Sequence, residues 1–325
     1  MNKLIEIIKN EFEKDFLEEP FHFLDLGCSG GISPDWRAVE PFLRVIGVDF
    51  NVAEVENLNS IEKNPNVQYI AGNLELAPDH PIRAKRGTRF LCESHNAFAK
   101  TSAWDAHIRT LKNNTPRDPP PQPSYVLIPE LLKNNDFNFV DFIKIDIDGP
   151  DFDVLQALEN QFQTLEILGF KVEVNFTGTS DPHDHTFHNM DRMMRRNGFE
   201  LMDLDLRRYT KKALPGKFLF NFFGQTEKGA LAQGDAVYVK HTDLKRIGKI
   251  KIAKTIVLLT LYGQIDSAAE LIKEGPFRDS LRQKWLDYAA QLFSHTNYKD
   301  LMEQWEKTPT AFFRDGNQSK TCNYK

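Results

Sequence analysis

Two short stretches hold most of the residues able to do chemistry. The first is Asp25-Leu26-Gly27-Cys28-Ser29-Gly30-Gly31. Small residues in a turn between a strand and a helix let the backbone come close to a ligand. Asp25 sets the sign of that ligand, because a carboxylate repels a pyrophosphate and attracts a cation. A dinucleotide turn reads Gly-x-Gly-x-x-Gly; counted from Gly27, its second and third glycines fall on Ser29 and Ile32, a poor match. Gly27, Cys28, Ser29 and Gly31 are therefore candidate backbone contacts to a cationic ligand, with Asp25 as its counter-charge. The other reading is a glycine turn that binds nothing. Asp49 closes the next predicted strand, where a carboxylate can accept both hydroxyls of a ribose or cap the following helix. Asn73 follows a third strand, where its amide could meet a base edge or simply shape a turn.

The second stretch is Phe142-Ile143-Lys144-Ile145-Asp146-Ile147-Asp148-Gly149. Asp146 and Asp148 stand at the carboxyl end of a predicted strand, where ligands of open α/β sheets bind. Lys144 shares their side at period two. Two carboxylates beside a cation can hold a substrate hydroxyl or take its proton. Asp148, Asp151 and Asp153 also suit the start of a helix. Glu173 and Asn175 end the strand after it. The loop Asp181-Pro182-His183-Asp184-His185-Thr186-Phe187-His188 brings His183 or His185 as a general base near neutrality, as a metal ligand beside the carboxylates, or as a solvated polar loop. Its spacing matches no defined metal signature, so no metal is expected.

These residues need a scaffold of strands ending at one edge. Leu4, Ile7, Ile8 and Phe12 predict a lead-in helix over 1–17. Phe21 to Leu26, Arg44 to Val48 and Val67 to Ala71 read as strands, with a helix starting at Ser33-Pro34-Asp35. Pro116, Pro119, Pro120, Pro121 and Pro123 mark an extended loop. The alternation then resumes with a helix near Ile128 to Lys133, a strand over Val140 to Ile147, a helix from Asp151 and a strand over Leu168 to Phe176. Met190 to Asn197 is helical and stops at Gly198. Glu200 to Leu206 and Ala236 to Lys240 close the sheet. The fold class is α/β: a doubly wound, mostly parallel sheet. From about Lys245 the spacing of Ile256, Leu259, Ala268 and Leu271 is helical. This divides the chain into 1–245, which carries the chemistry, and a helical extension, 246–325, in which Trp285, Tyr288 and Leu292 read as core or contact residues.

Composition narrows the function classes. The chain has 325 residues, a formal net charge of −5, 41% hydrophobic and 27% charged residues. That is a globular balance, with no basic stripe to attract nucleic acid. The three cysteines are too scattered for a disulfide framework or a zinc site, and a reducing cytosol suits them. Acidic residues interrupt 1–19, unlike a signal peptide. The most apolar run, Ile252 to Tyr262, contains Lys254 and is shorter than the roughly 20 residues of a membrane span. The expected setting is cytoplasmic, with no membrane span, and the oligomeric state is open.

The acidic residue and small-residue turn of Asp25 to Gly31 resemble the motif by which class I methyltransferases hold S-adenosyl-L-methionine, whose ammonium and sulfonium are cationic and which has no phosphate. Lys144-Ile145-Asp146-Ile147-Asp148-Gly149, followed by Val154-Leu155, resembles the Lys-Ile-Asp-Val-Glu-Gly run of the FkbM family of S-adenosylmethionine-dependent methyltransferases. The sequence departs from it with Asp148 in place of Glu, with Pro150, and with Ala157 in place of Gly. The resemblance covers about Phe21 to Lys240. It implies a Rossmann-like sheet with an antiparallel last strand, S-adenosyl-L-methionine as cofactor, and methyl transfer to a hydroxyl of a sugar or glycosylated product. Asp25, Gly27, Cys28, Ser29, Gly31, Asp49 and Asn73 would then hold the donor, and Asp146, Asp148, Glu173 and His183 would serve the acceptor. A nicotinamide oxidoreductase and a non-catalytic binding module on the same fold are the alternatives.

Overall fold

The computed structural model describes residues 2–74, 76, 80–82, 123–147, 151–178, 180–209, 229–241, 247–292 and 307. Seven strands form one sheet in the order β3-β2-β1-β4-β5-β7-β6. They are β1 (Phe21–Leu26), β2 (Leu43–Asp49), β3 (Val67–Ala71), β4 (Phe142–Ile145), β5 (Gly169–Asn175), β6 (Phe199–Tyr209) and β7 (Ala230–Lys240). The first five are parallel, and β7 lies antiparallel between β5 and β6. The strand order reverses between β1 and β4, so a crevice opens at their carboxyl ends. All six residues of β1 are buried, as expected of a central parallel strand covered on both faces.

Helices pack on both faces. On one lie α4 (Ile128–Asn134), α5 (Asp151–Leu158) and α6 (Phe187–Arg196), packed on Leu24, Leu26, Ile143, Ile145 and Val172. The other carries α1 (Asn2–Glu11), α2 (Glu13–Glu18), α3 (Val52–Ile61), α7 (Lys249–Leu261), α8 (Ile265–Glu274) and α9 (Asp279–Leu292), packed with Phe21, Phe23, Val45 and Phe142. The expected single lead-in helix is two helices. Phe12 leaves helical geometry at φ −111°, ψ 22°, stacks on Phe16 and meets Phe277 edge-to-face in the core. After the glycine turn, Ser33-Pro34-Asp35 opens only a 3-10 helix, Pro34–Val39, and Ser33 makes no side-chain cap. Pro41 follows closely and leaves no room for a longer helix.

Residues 247–292 pack into the same core as the strands. Every residue from Ile252 to Leu261 is buried, and Tyr262 stacks on Phe142 at 5.1 Å. Lys254, with no exposed surface, donates to Asp141 Oδ2 at 2.9 Å and to the carbonyl of Pro20 at 2.9 Å. Asp141 is equally buried and also accepts from Lys251 at 3.2 Å and from the backbone of His22 at 2.9 Å. The assignment of chemistry to 1–245 and of a helical extension to 246–325 remains a proposal. In packing terms, α7 is tied to Asp141, the residue just before β4. Among the described residues no helix is long and apolar enough to cross a membrane.

His22 lies between the rings of Phe137 and Phe139, each 4.2 Å away, and its Nδ1–H donates to the carbonyl of Phe139 at 2.9 Å. Burial lowers its pKa to about 4.

Two outcomes follow from this packing. Lys254→Met leaves buried Asp141 with only Lys251 and the His22 N–H as partners among the described residues and should cost about 3 kcal/mol in denaturant unfolding, the low end for a broken buried pair. As pH falls from about 6.5 to about 4, the unfolded chain protonates at His22 and the folded chain does not, so stability is lost across that window. Thermal melts at pH 7 and 4.5 should show a smaller acid-side drop for His22→Phe than for the parent.

Candidate active site

The glycine turn is shaped first by its neighbouring strands. The N–H groups of Gly27 and Cys28 donate to the carbonyl of Val48 at 2.8 and 3.2 Å, and the N–H of Asp146 donates to the carbonyl of Leu26 at 2.9 Å. Gly27 has φ +87°, and a Cβ there would stand 1.8 Å from the carbonyl oxygen of Asp146. Glycine is therefore required at 27 by the approach of β4, not by a ligand. Gly31, at φ +80°, would place a Cβ 3.2 Å from the hydroxyl of Tyr69 and 3.3 Å from Leu58, again against protein. Gly30, at φ +77°, meets nothing within 4 Å. The open part of the turn is thus Ser29 and Gly30, both exposed. Cys28 keeps its thiol in the core, where a Cβ on Gly47 would be 2.9 Å from the sulfur. Burial first, then Asp25 and Asp49, push that thiol upward, so it stays protonated and can face a ligand only through its backbone.

Charge is concentrated around Lys144. Its ammonium donates to the carbonyl of Gly27 at 2.7 Å and to Asp25 Oδ1 at 3.3 Å, and pairs with Asp146 at 3.4 Å. Asp25 is 2% exposed, and burial outweighs the pull of Lys144 to raise its pKa to about 6. Burial works against the ammonium too, but Asp25 and Asp146 outweigh it and raise the Lys144 pKa. Asp146 is the accessible member, with 43% of its side chain exposed.

Asp49, half-buried at the end of β2, accepts the N–H of Asn51 at 2.8 Å. The cap of α3 is Asn51, which accepts from Glu54 at 3.2 Å, so Asp49 is not the helix cap. Beside it stands Phe50, 47% exposed, an apolar ring at a ligand-binding edge. The sequence reading passed over Phe50; a large aromatic straight after a strand-end acid was the available signal. Asn73 is 8% exposed, and its backbone bridges to the neighbouring segment, donating to Ser124 and accepting from Val126 at 2.9 Å each.

The other sequence-predicted residues lie around β5. Lys171 pairs in register with Lys144, and Glu173 and Asn175 follow on the same face. Glu173 stands opposite Asp235 of β7, a like-charge pair that Arg207 of β6 relieves. Arg207 donates to Glu173 at 3.2 Å and to both oxygens of Asp235 at 3.0 Å. Nothing local in the sequence links Arg207 of β6 or Asp235 of β7 to Glu173. His185 is buried and fully engaged: Nε2–H donates to the carbonyl of Glu173 at 2.9 Å, and Nδ1 accepts from Asn175 at 3.3 Å. It is a clip between loop and strand. His183 is half-buried, with Nδ1 3.3 Å from Gln156 of α5. Asp151 is wholly buried and accepts the N–H of Ile147 at 2.9 Å. Asp148 lies outside the described residues. Among the described residues no three His, Cys, Asp or Glu are grouped to hold a metal.

With this geometry in place, residues 40–201 match the family model described as the methyltransferase FkbM domain. The matched stretch starts after the glycine turn and takes in Asp49, Asn73, Asp146, Glu173 and His183. No curated protein matches the chain. Several solved structures align with it. The fibrillarin pre-rRNA processing protein of Methanococcus jannaschii aligns at 12% identity and TM-score 0.34, over 68% of this chain and 66% of that one, just under two thirds of its length. A TehB-like SAM-dependent methyltransferase from Corynebacterium glutamicum aligns at 11% identity and TM-score 0.29, over 70% and 87%. The N-terminal domain of EvdMO1 with SAH bound aligns at 10% identity and TM-score 0.31, over 74% and 81%. The doubly wound order itself stands on the strand pairing described above.

The two glycines should behave differently. Gly27→Ala forces the ends of β1 and β4 apart and should cost about 3 kcal/mol or more, among the large effects of strained special positions. Gly30→Ala should cost only about 1–2 kcal/mol for its positive φ. Thermal or denaturant unfolding of both variants checks this ordering.

Proposed function

From a chain that carries an FkbM methyltransferase domain over residues 40–201, of a family that uses S-adenosyl-L-methionine, we propose an O-methyltransferase acting on a hydroxyl of a sugar or of a glycosylated or polysaccharide compound. The observation that carries this reading is the pair of accessible acids at neighbouring strand ends, Asp49 on β2 and Asp146 just past β4, around a turn open at Ser29 and Gly30, with buried Asp25 of β1 paired to Lys144 behind them. The residues present suit the donor. Gly30 leaves space where a side chain would intrude, Asp49 offers a carboxylate for ribose hydroxyls, and Phe50 offers an exposed ring for a base. A net-negative crevice also favours a cationic ligand over a dinucleotide, which speaks for the methyl donor against a nicotinamide cofactor.

When bound, S-adenosyl-L-methionine supplies a methyl group already activated on a sulfonium. The chain is left to orient the hydroxyl and take its proton. Asp146 is the accessible carboxylate at the crevice and is assigned that proton. Asp148 is its neighbour in the same motif and is kept as a second carboxylate for the acceptor. Glu173 and His183, with Asn175, are assigned to acceptor hydroxyls. Buried polar groups of this kind reject compounds that cannot hydrogen-bond back, which favours a polyhydroxylated acceptor. His185 is left out because both ring nitrogens are engaged.

A labelled-methyl screen over sugars, phenols, carboxylates, DNA and RNA tests the acceptor class. Transfer to a sugar hydroxyl is expected, and transfer only to nucleic acid or only to a carboxylate would sink the sugar reading. Asp49→Ala should weaken S-adenosylhomocysteine binding by about 1.5–3 kcal/mol in calorimetry, the worth of hydrogen bonds to a charged group. Asp146→Asn should keep that binding while turnover falls about 10²–10⁴-fold, the usual contribution of a general base.

A further inference from the structure

Two hydrogen-bond acceptors at the end of β1, Asp25 Oδ1 and the carbonyl of Gly27, already meet a cation of the chain itself. Asp25 has almost no exposed surface, and its Oδ1 meets the Lys144 ammonium at 3.3 Å. The carbonyl of Gly27, the other acceptor that a ligand ammonium would seek there, takes a 2.7 Å bond from the same ammonium. A second ammonium brought to these two groups would stand beside Lys144 and be repelled by it.

The third contact of Lys144 differs from the other two. Its approach to Asp146, at 3.4 Å, is as long as that to Asp25, at 3.3 Å, but it ends on an accessible carboxylate where Asp25 is buried. The side chains are 22% and 43% exposed, so this side of the cation faces the crevice. An incoming carboxylate can replace Asp146 there without disturbing Asp25 or Gly27.

We infer that the amino-acid end of the methyl donor is recognised through its carboxylate, by Lys144, and not through its ammonium, by Asp25. The inference rests on the donor reading proposed above and deepens it. Asp25 becomes the buried counter-ion that holds Lys144 in place. The exchange also releases Asp146 from its ion pair, leaving that carboxylate free to meet the acceptor hydroxyl. Donor binding and readiness of the base are thereby coupled through one side chain.

Calorimetry on the full chain tests this with four compounds: S-adenosylhomocysteine, its decarboxylated analogue, its deaminated analogue, and 5′-methylthioadenosine, which lacks the amino-acid end. In the wild-type chain, loss of the carboxylate should weaken binding about tenfold or more, and loss of the amine less than about threefold. In Lys144→Met, S-adenosylhomocysteine should fall to the affinity of the decarboxylated analogue, with 5′-methylthioadenosine unchanged. The wild-type comparison decides the matter even if that variant does not fold. The opposite order, with the amine essential and the carboxylate dispensable, overturns the inference. So does equal binding of all four compounds, which would leave the donor reading standing. Failure of all four to bind overturns the donor reading and the inference together.

Discussion

The carboxyl edge of the sheet is organised by the approach of the end of β4 to the turn after β1. The carbonyl of Asp146 comes so near the α-carbon of Gly27 that a Cβ would sit 1.8 Å from it. Lys144 then joins the same two elements from the sheet face, binding the carbonyl of Gly27 and the carboxylates on either side. Burying a lone lysine or a lone aspartate would cost several kcal/mol in lost hydration. Placed together they compensate each other, and the glycine turn, the buried Asp25 and the accessible Asp146 become one unit. Only with this unit in place does the reversal of strand order between β1 and β4 form a crevice with a defined charge.

The rest of the molecule keeps those strand ends in register. Two apolar layers press on the sheet, one through α4, α5 and α6 and the other through the N- and C-terminal helices. The second layer contains a charge of its own, Lys254 against Asp141 at the opposite end of β4. One strand is thus pinned near each end by a lysine paired to a buried aspartate. Arg207 reconciles two carboxylates, Glu173 and Asp235, that face each other across β5 and β7. His185 ties the loop after β5 to that strand, which keeps Glu173 and Asn175 at a fixed place on the edge.

Much of this was legible in the residues. Phe21 to Leu26 and Val67 to Ala71 occur as strands with the bounds expected from their apolar residues: central β1 is buried throughout, and edge strand β3 exposes Gln68 between buried Val67 and Tyr69. Gly198 ends α6 with φ +78°, as a glycine after a helix should. The acids at 25, 49 and 146 stood out because each ends or follows such a run. The helix expected at Ser33 shrank to a 3-10 turn, and the lead-in helix broke at Phe12, because proline spacing and aromatic packing outweighed local propensity. Gly31 was assigned to ligand space, yet Tyr69 and Leu58 lie there and Gly30 faces the opening. The two glycines are adjacent and alike in sequence; only the path of the backbone separates them.

Hydrophobic period and strand-end position are local properties of the chain, so the class of fold and the inventory of charges can be read from its residues. Tertiary structure alone decided which charges meet. Asp25 and Lys144 are 119 residues apart, as are His22 and Asp141, and each pair forms because β1 and β4 lie side by side. No local pattern marks that adjacency. An acid written at the end of β1 reads as a hook for a ligand's cation; in the folded chain the cation it holds is the protein's own. Electrostatic partners are chosen by proximity in space and by the cost of leaving a buried charge unpaired, and both are properties of the packed sheet.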